Sequence, residues 1–503
     1  MQPLTTSFKQ AERLSATRLS LIRSSRARES QTMFGDLMTA QGEGLVDLEI
    51  SCQLRLSHLA RKELDLQAAV NAVMAVRQLE GATPSEHAAD EFGQVLWAKG
   101  EHGLAIQHTQ TLYDAIQASS KSVNQARSAI LLGRIANWTS LAKLKAAEDI
   151  RASFREAMKL AQKHRSDTTE QAQLAYDFAV FADQHYVALS KSPELERLTV
   201  VMDRKRGELE KLDSMRSTPS SSRRKADKED LELEEERAAK EKMDRELLRY
   251  LCFTLESYAS AIALSDKHDD SITRMVSVWL EHDSTEHAQR SFSSHLGMIP
   301  THKFIFLSPQ LAARLDRPKQ LTTFNANLND LMLRMAQDHP FHVLYQVITL
   351  AQGSDYKKGD GAGRTAAASE ILARITTDSE RPIAQRAGKE MDAFSSAAVQ
   401  WCNFDYEKRR IPKPKTMAPA PVPSQCPLMP FKRLSIPVAT FIPPIDLTLQ
   451  YMNVPTLERY RSNYRLADGL HRPAVMSCYD SLGKEHVQLV SVCSDIANCA
   501  VQG

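Results

Sequence analysis

The sequence predicts a mostly α protein, an α-solenoid of antiparallel helix pairs, followed by an incomplete β-rich fragment. Three observations carry the prediction. From about residue 10 to residue 355, apolar residues recur at helical spacing. Each such segment has one apolar stripe with polar flanks, so it must bury that stripe against a neighbour; helices joined by short turns then form antiparallel pairs that stack. A proline cluster between residues 411 and 444 ends the pattern, and beyond it the period changes to two.

The helical stripes follow in order. Leu66, Ala69, Val70 and Val73 fall at i, i+3, i+4 and i+7. Thr109, Leu112, Tyr113 and Ile116 repeat the spacing, as do Leu174, Phe178, Phe181 and His185. Leu247, Leu251, Leu255, Tyr258 and Ile262 make a longer stripe, then Ile272, Met275, Val276, Trp279 and Leu280. Phe341, Leu344, Tyr345 and Ile348 close the series. On these stripes His185 reads as a packed residue, and Trp97, Trp138, Trp279 and Trp401 as packing residues.

Three segments break the pattern. Residues 213–245 open with a Ser/Thr/Pro cluster and continue as a dense charge run from Arg223 to Arg245. They read as a charged, partly disordered, solvated insertion whose second part can continue as an exposed helix. Residues 353–364 read as a flexible turn; Gly359, Gly361 and Gly363 mimic a phosphate loop but lack the preceding strand and the Gly-Lys-Ser/Thr ending. In the proline cluster helix cannot continue, and this marks the clearest boundary. After it Leu447, Leu449 and Tyr451 alternate as a strand would, as do Val487 and Leu489, with a hairpin turn at Asp480–Lys484 between them.

The expected organisation is therefore a helical solenoid over 1–355, a helical end and Pro-rich linker over 356–433, a β-rich fragment over 434–490 and a tail over 491–503. Lys+Arg of 64 against Asp+Glu of 62 leave no basic excess, which argues against a large nucleic-acid footprint. The seven cysteines form no CxxC, so a reducing compartment is expected. No apolar run is long enough for a membrane span, and the first residues lack the apolar stretch of a secretory signal. His339 and His342 offer two imidazoles without a third ligand at suitable spacing, so no metal site is expected. Neither an Asp-Arg-His catalytic loop nor an Asp-Phe-Gly metal motif occurs, so no catalytic residue is assigned.

Several separated stretches resemble the FAT domain, a tetratricopeptide-like solenoid, of ATM-type phosphatidylinositol-3-kinase-related protein kinases. Leu59-Ala60-Arg61 through Ala68-Ala69-Val70, Val95 to Glu101, and Phe178 to Tyr186 look like early FAT helices. The most specific series is Ile299-Pro300-Thr301-His302-Lys303-Phe304, then Gln310 to Leu315, then Asp338-His339-Pro340. After the prolines, Tyr464 to Pro473 resembles the loop between the first two strands of the kinase amino lobe, and Ser481 to Val490 the hairpin that follows. The resemblance implies a regulatory scaffold of a nuclear serine/threonine kinase of DNA-damage and telomere signalling. It implies ATP and Mg²⁺ in the intact enzyme and none in this chain. It also implies contact with the chain's own kinase domain, homodimers, and damage-signalling protein partners.

By the same analogy Asp468, Gly469 and Arg472 would lie in the loop over the ATP phosphates. Three departures matter. Asp468 stands where the family has glycine, Ala474 where it has a basic residue, and Ser491 where it has the phosphate-pairing lysine. The last residues match nothing in the family, so the chain is expected to stop short of the catalytic machinery and to be inactive by itself. The alternatives are a non-enzymatic α-solenoid adaptor, against which no 34-residue repeat is visible, and a stand-alone nucleotide-binding regulator.

Overall fold

Helix is the rule as far as Cys402, and sheet follows it. The computed structural model describes residues 8–29, 39–80, 85–118, 122–164, 166–214, 221–316, 322–353, 362–404, 418–468 and 473–490. The chain divides into two units, Met1–His185 and Tyr186–Gly503.

The first unit holds α1 (Phe8–Glu29), α2 (Thr39–Lys62), α3 (Leu66–Glu80), α4 (Glu86–Ala98), α5 (His102–Ala118), α6 (Ser122–Leu141), α7 (Ala147–Lys163) and most of α8 (Thr168–Ser190). From α1 to α7 each helix packs on its neighbour in sequence, the nearest-neighbour stacking of a solenoid. The pairs α2–α3, α4–α5 and α6–α7 close by one kind of turn, with a left-handed residue after the helix at Leu64 (φ 64°), Gly100 (φ 89°) and Lys143 (φ 54°). Around each, the next amide reaches back to the last helical turn, as Asp65 N does to Ala60 O, Glu101 N to Leu96 O and Leu144 N to Thr139 O. The core is small-residue and aromatic. Ala69, Val73 and Val95 are sealed from solvent, and Phe154 stacks 5.2 Å from Phe178. Gly133 is required where α6 meets α8, since a Cβ there would overlap the Leu174 side chain.

Ion pairs join helices of this unit. Glu49, its side chain 3% exposed, takes Arg23 at 2.8 Å and Arg26 of α1. Burial alone would raise its pKa, but the two guanidinium bonds prevail and hold it below the ordinary carboxylate value. Arg61 of α2 grips Glu91 of α4 with both nitrogens at 3.1 Å, and Ser57 adds a third bond. Arg134 and Arg127 of α6 reach Asp90 of α4.

The second unit continues with α9 (Pro193–Ser214), α10 (Ser221–Leu264), α11 (Ile272–Glu281), α12 (Glu286–Met298), α13 (Ser308–Ala313), α14 (Thr323–Asp338), α15 (Pro340–Gln352), α16 (Ala362–Thr377) and α17 (Pro382–Cys402). Short 3₁₀ turns precede α11 and α13. Trp279 is fully buried, its indole N–H bonded to Gln289 Oε1 at 2.7 Å. Lys303 is the one buried lysine among the described residues, its side chain 2% exposed. Its ammonium donates to Ile262 O, Asp266 and Asp269 at 2.7–2.8 Å, tying the end of α10 to both 3₁₀ turns.

Strands β1 (Ala420–Pro421), β2 (Leu457–Leu466), β3 (Ala474–Asp480) and β4 (Glu485–Val490) form an antiparallel sheet in sequence order. The hairpin turn at Asp480–Lys484 is present. Gly483 takes φ 81°, and Asp480 Oδ1 accepts from the amides of Leu482 and Lys484, while Oδ2 meets His486 Nε2 at 2.8 Å.

The second part of the charged insertion does continue as helix: α10 begins at Ser221 and is continuous with its buried stripe, which anchors the carboxyl half; the Ser/Thr/Pro residues 215–220 lie outside the described residues. Three local expectations are corrected. Gly363 and Arg364 sit inside α16 and not in a turn; residues 354–361 lie outside the described residues. Leu447, Leu449 and Tyr451 are not a strand: Asp446 accepts from the Thr448 and Tyr451 amides and winds the chain into a turn, with Leu449 at φ 61° and Tyr451 at φ 46°. In β4 the buried parity is Gln488 and Val490, with Val487 54% exposed, because Gln488 pairs with fully buried Met476.

Candidate functional site, where helices seat the sheet

The elbow between α14 and α15 is built by Asp338-His339-Pro340. Pro340 starts α15 without an amide to satisfy, and the residue before a proline is pushed out of the helical region. His339 accordingly breaks the helix at φ −132°, ψ 61°, and its imidazole is only 1% exposed. Thr301 donates to Asp338 Oδ2 at 2.8 Å and Arg381 pairs with Oδ1, so the elbow is braced from two other elements.

Tyr451 is the counterpart from the segment before β2. Its hydroxyl meets His339 Nδ1 at 2.6 Å and His342 Nδ1 at 3.4 Å, and its ring stands edge-on to Phe341 at 5.2 Å. His342 Nε2 lies 2.9 Å from the Pro443 carbonyl, which can only accept, so the proton of His342 is on Nε2; the phenol has a single hydrogen, so its longer approach to the bare Nδ1 of His342 is a packing contact beside the bond to His339. Burial drives the His339 pKa down to about 4, so its ring is neutral at physiological pH and accepts the Tyr451 hydrogen. Burial likewise pushes the Tyr451 phenol up to about 12.

A second set of contacts joins α17 to the sheet. Glu390 Oε2 accepts from the Ser435 amide at 2.6 Å. Phe394 stacks on Tyr460 at 6.5 Å and stands edge-on to Phe431 at 5.9 Å, while Trp401 meets Tyr464 at 5.8 Å. Beneath the strands, Tyr460 donates to Gln488 Oε1 at 2.6 Å, and burial pushes the Cys478 thiol up to about 12. These groups interlock, an arrangement suited to holding a sheet in one orientation.

The residues singled out for nucleotide contact fare differently. Asp468 is exposed in the loop between β2 and β3; Gly469 and Arg472 lie outside the described residues, as does the tail 491–503. His339 and His342 do come together, with His302 nearby at 6.3 Å between ring centroids, yet no group able to hold a metal is found among the described residues. The sequence does not show the seat, because the alternation around Tyr451 reads as a strand. The available signal was the pair of histidines flanking Pro340, since imidazoles withdrawn from water need hydrogen-bond partners.

No family model matches the chain. It is 38% identical over 490 residues to the serine/threonine-protein kinase TEL1 of Cryptococcus neoformans, covering 96% of this chain and 16% of that protein. It is 25% identical over 499 residues to the serine-protein kinase ATM of Sus scrofa, covering 93% of this chain and 16% of that protein. The chain thus spans about a sixth of these relatives. Among solved structures, the FAT and kinase domain of CtTel1 superposes with a TM-score of 0.78 at 22% identity, over 98% of this chain and 33% of that one. The complete CtTel1 dimer with C2 symmetry gives the same TM-score over 98% of this chain and 18% of that one.

Proposed function

Because this chain is a homologue of the Tel1 and ATM kinases over part of their FAT and kinase region, we propose that it is the regulatory scaffold of such a serine/threonine kinase. In this reading the helices hold the first strands of the kinase amino lobe in place, and the whole enzyme works in the nucleus in DNA-damage and telomere signalling. The dimeric state of the CtTel1 relative supports a homodimer. Among the described residues no helix is long and apolar enough to cross a membrane.

The observation that supports the scaffold role most is the seat. The bonds of Tyr451 to His339 and of His342 to the Pro443 carbonyl lock the approach to β2 onto the α14–α15 elbow. Asp468, Gly469 and Arg472 would then overhang the ATP phosphates at the far end of β2. The residues present do not complete an ATP–Mg²⁺ site, since Ser491 follows Val490 and no catalytic or metal motif occurs. No phosphoryl-transfer step is assigned to this chain, and the chain alone is inactive.

Two measurements test the reading. The purified chain incubated with radiolabelled Mg-ATP and a protein substrate should transfer no phosphate. Turnover that survives repurification would sink the scaffold assignment. In full-length Cryptococcus TEL1, the change equivalent to Tyr451→Phe should lower kinase activity several-fold, by about one hydrogen bond's worth. Unchanged activity there would mean that the seat does not position the lobe.

A further inference from the structure

Helices α10 and α12 pack against each other, and a cavity of about 350 Å³ opens between them. Arg245, Leu248, Arg249, Cys252 and Glu256 line it from α10 at i, i+3, i+4, i+7 and i+11, so a single helical face supplies that wall. His287 and Ser291, one turn apart on α12, line the other side. The volume lies in the range of small-ligand pockets and suits a few residues of peptide.

The cations of this lining are incompletely paired. Arg245 donates only from Nε, to the Glu241 carbonyl of its own helix at 3.1 Å, and meets no carboxylate among the described residues. Arg249 donates one nitrogen to Glu246 at 2.7 Å. Two arginines one turn apart on a helix repel each other, and an anion held by both removes the repulsion.

The rest of the lining differs in character. Cys252 is buried, and burial pushes its thiol up to about 11, so it stays protonated. With half-buried Leu248 and Phe253 it offers an apolar surface. Glu256 Oε1 accepts from the Ser291 hydroxyl, which leaves Oε2 to accept from a further donor. A ligand for these groups combines an anion, an N–H and an apolar side chain. A phosphate dianion fits poorly, because the Glu256 carboxylate lies in the same wall. A singly charged carboxylate matches the guanidinium fork with less repulsion.

We propose that the groove between α10 and α12 binds an acidic peptide, with a side-chain carboxylate on Arg245 and Arg249, a backbone N–H on Glu256 and an apolar side chain against Leu248 and Phe253. The site is independent of the kinase reading.

Fluorescence anisotropy with the full 503-residue chain tests it. The probe is a labelled, end-capped Leu-Glu-Glu-Leu peptide, beside Leu-Gln-Gln-Leu and a version with phosphoserine in place of the first glutamate. The glutamate peptide should bind roughly tenfold more tightly than the glutamine one, and Arg245→Gln combined with Arg249→Gln should remove that margin. Arg237→Gln, on the same helix but outside the lining, should leave binding unchanged. No binding at millimolar peptide, or equal binding of the acidic and amide peptides, would overturn the proposal. So would an equal loss in Arg237→Gln, which would reveal general charge attraction. Tighter binding of the phosphoserine peptide would overturn the carboxylate assignment.

Discussion

The first unit and the second solve the same packing problem with different chemistry. Between residues 1 and 185, buried or half-buried carboxylates, Glu49, Glu91 and Asp90, each receive arginines from another helix. Between 186 and 490, the joints described run more through hydrogen bonds and rings, Trp279 with Gln289, Tyr451 with His339, Tyr460 with Gln488, although the Lys303 clamp and the Arg381–Asp338 pair are charged. Repeated helix pairs can exchange charges across every second helix, because the same edge recurs. A sheet seated on helices offers no such repeat, and each contact there is a separate fit of aromatic and imidazole rings. The first design tolerates variation along its length; the second fixes one orientation.

The largest expected effect lies in the second unit. Trp279→Ala should destabilise it by about 4 kcal/mol, since a fully buried indole leaves both a cavity and an unpaired Gln289. Chemical unfolding followed by hydrogen exchange over 186–490 would show it, and a loss below about 1 kcal/mol would mean that the aromatic joints are less rigid than described.

Acid should separate the two units. Folded His339 takes its proton only near pH 4, against 6.5 for the ordinary group. The unfolded chain therefore binds more protons between these values, and stability falls as pH drops from 6.5 towards 4, by on the order of 3 kcal/mol in all. Glu49 works in a lower window. Its folded pKa lies below 4.5, so its contribution is complete above that value and is lost as pH falls through the folded pKa. Exchange measured across a pH series should show the seat loosening before α1 and α2 do. His339→Gln should reduce the upper slope and leave the lower one intact; the remainder belongs to His342, His268, His185 and His58, whose pKa values burial also lowers.

Lys303→Met asks whether the buried charged clamp is needed. The methionine keeps the buried stem but leaves Ile262 O without its donor, which should cost about 2 kcal/mol in thermal unfolding. A neutral result would place the clamp with those buried ion pairs that apolar residues can replace. In the first unit Asp90→Asn should cost only about 1 kcal/mol and should matter less in high salt, because its arginine partners are partly exposed. Equal loss at low and high salt would show that these pairs act through packing.

What could be read from the sequence divides along the same line. The stripes at Leu174–Phe181 and Ile272–Trp279 declared their buried faces through a 3.6-residue period, and the structure buries them; at Leu66–Val73 it buries Ala69 and Val73 and leaves Leu66 and Val70 half-buried. Homology to ATM-type kinases was legible for the same reason, since it rests on runs such as Asp338-His339-Pro340 that a local elbow requires. The seat was illegible because it joins residues about 110 positions apart, as His339 and Tyr451 do, and no local period encodes such a pairing. Short alternations misled twice. Leu447–Tyr451 looked like a strand until the Asp446 carboxylate captured its amides, and in β4 pairing with β3 reversed the apparent inner face.

The smallest effect tests the repeat itself. Three helix pairs of the first unit close through a left-handed residue, and only at Gly100 does the sequence supply glycine. Leu64 and Lys143 hold the same conformation with side chains that disfavour it, by roughly 1 kcal/mol each. Leu64→Gly and Lys143→Gly should therefore raise stability by a few tenths of a kcal/mol, the relief of strain being partly offset by the greater freedom of glycine in the unfolded chain. Gly100→Ala should lower it by about 1 kcal/mol, although nothing stands within 4 Å of where its Cβ would be. Opposite signs at equivalent turns, read in the same denaturation experiment, would establish that the pairs share one closing geometry. Equal signs would mean that each turn is held by its own tertiary contacts, with the left-handed residue incidental.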